Sequence, residues 1–162
     1  MCEHFPDLGR ADQQIEPLPD DAPRRGSGCE RAQRGRAVIL GTGLDLTEVA
    51  RIRRAIARHG RRFLERVFTP AEIAHVERKA NRPEGYAARF AAKEAGMKAI
   101  GTGWRRGVRW RDFEVVNLPT GKPTLRLHGQ AARIAEGLGG QSISLSLSHT
   151  ESLGMAIVIL EG

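Results

Sequence analysis

Apolar periodicity is missing from the first 36 residues and then changes several times along the chain. Residues 1–36 are rich in Pro, Gly, Arg and Asp without helical or alternating spacing, and read as a disordered extension. Order is expected from Ala37-Val38-Ile39-Leu40, an apolar run closed by Gly41 that predicts a short buried strand. The Gly41-Thr42-Gly43 stretch reads as a turn at its end. Beyond Asp45, Val49, Ile52, Ile56 and Phe63 recur at helical spacing, while Arg51, Arg54, Arg58 and Arg61 recur on another face. Thr69-Pro70-Ala71-Glu72 predicts a helix start, with Thr as N-cap, Pro at the first position and Glu completing a capping box. That short helix should end near Asn81-Arg82-Pro83. A longer one follows from about Glu84 to Ile100, with Tyr86, Ala87, Phe90, Ala91 and Glu94 along one side. Gly96 costs it about 1 kcal/mol relative to Ala, which predicts close approach by another backbone, and Gly101 is the natural stop.

The remainder alternates. Phe113–Leu118 and Lys122–Leu127 flank Pro119-Thr120-Gly121, a hairpin signal. Ala131–Leu138 reads as a short helix. Ser142–Ser148 alternates strictly, as a half-buried strand does, and Leu153–Leu160 is apolar almost throughout and so reads as central. A strand, then helices, then adjacent strands predicts an α+β domain, its mainly antiparallel sheet packed against the long helix.

Composition narrows this to one domain over residues 37–162, since 162 residues at 40% hydrophobic suffice for a single core. The net charge of +7 is uneven: residues 1–36 hold six arginines against seven acids, and the rest holds 20 basic and 12 acidic side chains. A domain this basic expects polyanionic partners. Cys2 and Cys29 both fall in the extension, which leaves the domain no internal disulfide or thiolate metal site. With no signal-peptide core and no run of membrane-spanning length, the expectation is a soluble, cytoplasmic protein with no membrane association.

Candidate chemistry centres on Phe90-Ala-Ala-Lys93-Glu94-Ala-Gly-Met-Lys98, which sets one carboxylate between two lysines on a helix. Asp45 supplies a second carboxylate. Two separated acids with convergent lysines suit a divalent cation holding a phosphate ester. Each residue also has a plainer reading. Asp45 suits an N-cap, with Glu48 three residues on. Glu94 and Lys98 suit a solvated i,i+4 pair, and Arg89 and Lys93 suit surface charge. No third glycine completes a dinucleotide fingerprint after Gly43. His149 sits beside Ser148, but strand neighbours point to opposite faces and no strained Gly-x-Ser-x-Gly elbow is present, which argues against a serine hydrolase.

Five segments together resemble the holo-acyl-carrier-protein synthase family of phosphopantetheinyl transferases. These are Gly43 to Glu48, Phe68-Thr69 with Glu72, Phe90 to Gly101, Gly121-Lys122-Pro123, and Ser146 to Thr150, and the likeness runs from about Val38 to Glu161. The resemblance implies transfer of 4′-phosphopantetheine from coenzyme A to a serine of apo-acyl carrier protein, supporting fatty acid biosynthesis and releasing adenosine 3′,5′-bisphosphate. It implies Mg2+ ligation by Asp45 and Glu94, with Lys98 neutralising the pyrophosphate. Arg89, Lys93, Gly121, Lys122, Pro123, Ser148, His149 and Thr150 would hold coenzyme A. The acceptor proton could leave through a metal-bound water or Glu94. Arg51, Arg58 and Arg61 would dock the acidic carrier protein, and the chain would be a homotrimer. Two rivals remain: a nucleic-acid-binding module using the same arginines, and a metal-dependent phosphodiesterase using the same acids.

Overall fold

The computed structural model describes residues 38–162, so the expectation of disorder over 1–36 lies outside the described residues. The elements run β1 (Ile39–Glu48), α1 (Val49–Val67), α2 (Pro70–Glu77), α3 (Arg82–Ala99), a 3₁₀ turn (Trp110–Asp112), β2 (Phe113–Asn117), β3 (Pro123–Leu127), α4 (Gly129–Gly137), β4 (Ser142–His149) and β5 (Leu153–Glu161). They form an antiparallel three-stranded sheet in the order β1-β5-β4 and the β2-β3 hairpin. The α+β expectation holds, and β5 is central as its apolar run suggested.

β1 continues straight through Gly41-Thr42-Gly43, where the sequence suggested a turn. The helix above it explains why. A Cβ on Gly41 would lie 2.0 Å from the Ala99 carbonyl oxygen, and one on Gly43 would lie 1.9 Å from that of Ala95. The glycines are strand residues that let α3 lie directly on β1, backbone to backbone. Gly96 has the reverse surprise. Its neighbours are side chains, with Leu125 and Phe113 carbons 2.7 and 2.8 Å from the position of a Cβ. Gly101 closes α3 at φ +69°, as expected.

α3 is therefore the central beam, and two cores form against it. One lies between α3, the sheet, the hairpin and α4, and includes Ala91, Ala95, Met97, Phe113, Leu125, Leu145 and Val158. The other lies under α1 and α2, and includes Ile52, Leu64, Phe68, Ile73, Val76, Tyr86 and Phe90. α1 is broken at Gly60, where φ 55° and ψ −136° leave helical geometry. Past the break, Leu64 and Val67 still turn inward.

α2 begins with the expected capping box: the Thr69 hydroxyl accepts from the Glu72 amide, and the Glu72 carboxylate accepts from the Thr69 amide. Among the described residues, nothing covers the sheet's second face. Leu44, Leu46, Leu153, Met155 and Ile157 are all at least 40% exposed there. β5 is thus buried on one face and open on the other.

Candidate active site

Alternate strand residues share a face, so Asp45 projects from the same side of β1 as Gly41 and Gly43, toward α3. Its Oδ1 accepts from Lys98 Nζ at 2.9 Å and its Oδ2 from the Thr47 hydroxyl at 3.0 Å. Lys98 also donates to the Leu44 carbonyl at 2.8 Å, so β1 and α3 are bridged at this point. Asp45 is a strand residue, and the N-cap position of α1 falls to Glu48, which makes no side-chain capping bond.

Glu94 lies one turn before Lys98 and is partly buried. Burial, followed by the nearby Asp45 charge, pushes its carboxyl above the ordinary carboxylate value, while Arg51 and Lys98 pull the other way. Arg51 reaches this point by lying over Phe90, its guanidinium carbon 5.7 Å from the ring centre. A half-buried carboxylate held beside a second one is matched to a cation. Among the described residues no group of three or more His, Cys, Asp and Glu could hold a metal, so such an ion would draw its remaining oxygens from water and substrate. An all-oxygen, partly open donor set fits Mg2+.

Arg89 is 4% exposed, and its Nε finds no hydrogen-bond partner among the described residues. Its guanidinium donates weakly to the Gly85 carbonyl and to Asn117 Oδ1, both at 3.4 Å. With Asn117, Lys79, Pro123 and His149 it lines a cavity of about 360 Å³, a desolvated cation facing an open space. Asn117 Nδ2 donates to the Gly121 carbonyl at 3.0 Å and so ties Arg89 to the Gly121-Lys122-Pro123 turn. Lys122 and Pro123 border a neighbouring cavity with Ser144 and Leu147.

Three expected residues sit elsewhere. Lys93 is no phosphate clamp: it is wholly buried, 2.8 Å from Glu72, and donates to the Phe113 and Trp110 carbonyls. Burial pushes its ammonium below the ordinary lysine value while Glu72 pulls it back up. Ser148 pairs with Met155 and shares the open face of the sheet, opposite His149. The Thr150 hydroxyl accepts from the Ser152 and Leu153 amides and so closes the β4-β5 turn. Arg51 and Arg58 are exposed, with no ion pair among the described residues; Arg61 pairs with Glu65 at 2.8 Å. Asn117 and Lys79 were missed because nothing in their local sequence separates them from ordinary turn and surface residues.

Comparison with known proteins identifies the family. The family model of the 4′-phosphopantetheinyl transferase superfamily matches residues 41–155. A holo-[acyl-carrier-protein] synthase of Solibacter usitatus is 70% identical over 124 residues, covering 76% of this chain and 99% of that protein. The crystal structure of the holo-[acyl-carrier-protein] synthase of Neisseria meningitidis superposes with a TM-score of 0.71 at 34% identity, covering 77% of this chain and all of that one. That of Helicobacter pylori, in complex with coenzyme A, superposes with a TM-score of 0.65 at 28% identity, covering 74% and 98%. With the Asp45-Glu94-Lys98 grouping lying inside the matched segment, the chain belongs to the holo-[acyl-carrier-protein] synthase family of 4′-phosphopantetheinyl transferases.

Proposed function

We propose that this protein transfers 4′-phosphopantetheine from coenzyme A to a serine hydroxyl of apo-acyl carrier protein, using Mg2+ and supporting fatty acid biosynthesis in the cytoplasm. The observation that carries the reading is the meeting of Asp45, Glu94 and Lys98 where α3 crosses β1. The serine oxygen bonds to the phosphorus bearing the pantetheine arm. The pyrophosphate bridge breaks, adenosine 3′,5′-bisphosphate leaves, and the serine proton passes to solvent. Bound Mg2+ supplies charge neutralisation at the pyrophosphate. Asp45 and Glu94 hold it. Lys98, now shared with Asp45, turns its remaining donor capacity to the phosphate oxygens. Arg89, His149, Asn117 and Pro123 form the wall that takes the nucleotide, with Lys79 and Lys122 adding positive charge.

Intact-mass measurement of apo-acyl carrier protein after incubation with coenzyme A and Mg2+ tests the reading. A gain of about 340 Da, the mass of the transferred group, is expected and should vanish with EDTA. Release of phosphopantetheine without carrier modification would make the protein a phosphodiesterase. A nucleic-acid role would leave the Asp45-Glu94 pair without purpose.

The exposed arginines of α1 are the docking surface for the acidic carrier. Arg51 also serves the metal side through Phe90 and Glu94, so Arg58 is the cleaner probe. Arg58→Glu is expected to raise the carrier KM about tenfold at low salt while leaving the coenzyme A KM within about twofold. Equal effects on both would remove Arg58 from docking.

A homotrimer is the proposed assembly, and the bare apolar face of β1 and β5 supports it, since adjoining exposed apolar side chains mark an interaction surface. Ile157→Glu, on the middle strand of that face, should lower the mass measured by light scattering to that of a monomer. An unchanged mass would place the interface elsewhere.

A further inference from the structure

Glu72 and Lys93 are both fully enclosed, with Nζ 2.8 Å from Oε2 and side chains 0% exposed. Each has a full set of partners. Glu72 Oε2 also accepts from the Thr69 amide at 2.8 Å, and Oε1 accepts from the Val115 amide at 3.1 Å. Lys93 also donates to the Phe113 and Trp110 carbonyls. The pair therefore ties together the start of α2, the middle of α3, the 3₁₀ turn and β2.

A buried ion pair is a poor route to stability, because an apolar pair of similar volume often serves as well or better. What it supplies is direction: apolar packing tolerates a small helix rotation, while a set of short hydrogen bonds does not. Lys93 immediately precedes Glu94, and consecutive side chains project about 100° apart around a helix. Roughly opposite Lys93, the Ala95 and Ala99 carbonyls meet Gly43 and Gly41. α3 is held by shape on one side and by direction on the other, and Glu94 and Lys98 project between the two.

We propose that the Glu72-Lys93 pair is a positioning clamp that sets the rotation of α3 and so places Glu94 with Asp45 for cation binding. The clamp rests on the reading of Asp45 and Glu94 as cation ligands. Mn2+ binding by the full chain, followed by electron paramagnetic resonance of the free ion, tests both. Glu72→Gln with Lys93→Met removes both charges, keeps the volume and leaves an acceptor for a backbone amide. This double variant is expected to fold, to bind Mn2+ at least about tenfold more weakly, and to need correspondingly more Mg2+ for transfer. Its carrier KM should stay within about twofold. Val76→Ala, a core change one turn along α2 from Glu72 that leaves the ion pair in place, should lower the melting temperature without altering Mn2+ affinity. Glu72→Asp keeps both charges but shortens the reach, and should weaken Mn2+ binding about threefold or more. Wild-type Mn2+ affinity in either folded clamp variant would overturn the clamp while leaving the metal site intact. Absence of Mn2+ binding by the wild type would overturn the cation reading and the clamp with it.

Discussion

Glu94→Gln is expected to lower kcat/KM for phosphopantetheine transfer by roughly a thousandfold or more while leaving the circular dichroism spectrum unchanged. The amide has nearly the volume of the carboxylate and removes a formal charge from the proposed two-carboxylate cation site, where an ion would supply several kcal/mol of transition-state stabilisation. A second, opposite effect accompanies the loss. In the folded chain burial and the Asp45 charge hold the Glu94 carboxyl above its ordinary value. The native state therefore holds this proton more tightly than the unfolded chain does. Stability from this group falls as pH rises from the ordinary carboxylate value through the raised one. Glutamine removes that cost. With EDTA present, the variant should melt above wild type at pH 7, and the two should converge below about pH 4. An active variant, or one that melts lower than wild type in EDTA, would take Glu94 out of the cation site.

Gly43→Ala should cost about 3 kcal/mol or more in urea unfolding, at the upper end of overpacking effects. Its Cβ would fall 1.9 Å from the Ala95 carbonyl oxygen, 2.8 Å from the Ala95 carbonyl carbon and 2.9 Å from the Ala99 amide nitrogen. Every atom it meets is helix backbone, so no side chain can swing aside; α3 must lift from β1. Asp45 lies two residues along on the same face, so transfer should fall with stability. Gly101→Ala is the contrast. None of the described residues lies within 4 Å of that Cβ, and only the left-handed φ of +69° is strained. It should lose about 1 kcal/mol. Similar losses at the two positions would show that α3 is not packed on β1 as described.

Local patterns made most of the elements legible. The capping box at Thr69–Glu72, the stop at Gly101, the β2-β3 hairpin and the strict alternation of β4 all rest on short-range chemistry, and each appears where the pattern put it. The run at Val38-Ile39-Leu40 read as a short buried strand, but it is exposed at the start of the ten-residue β1. The misreadings at Gly41, Gly43 and Lys93 involve contacts across the fold. Gly41 and Gly43 read as a turn because glycine is a turn residue; their reason for being glycine is a helix more than fifty residues away. Lys93 read as a phosphate ligand because a lysine beside the catalytic motif is ordinarily exposed. Its partner Glu72 was already spent, in sequence terms, on the capping box, and the second use of that carboxylate could be seen only once α3 lay beside it. In the site itself, Asp45, Glu94 and Lys98 were legible through family resemblance, and the structure brings them to one place. Asn117 was not legible, since its importance comes from standing between Arg89 and the Gly121 turn.

The bridge from Asp45 to Lys98 spans fifty-three positions of the chain. Asp45 and the neighbouring Glu94 come together only when α3 has docked on β1, so an unfolded chain offers no such pair. A divalent ion gripped by both, as proposed, would consequently be a ligand of the native state alone, and its concentration would enter the unfolding equilibrium by mass action. Each tenfold rise above the dissociation constant adds about 1.4 kcal/mol. Cells that run short of the ion would then lose the molecule's turnover and part of its thermodynamic reserve together.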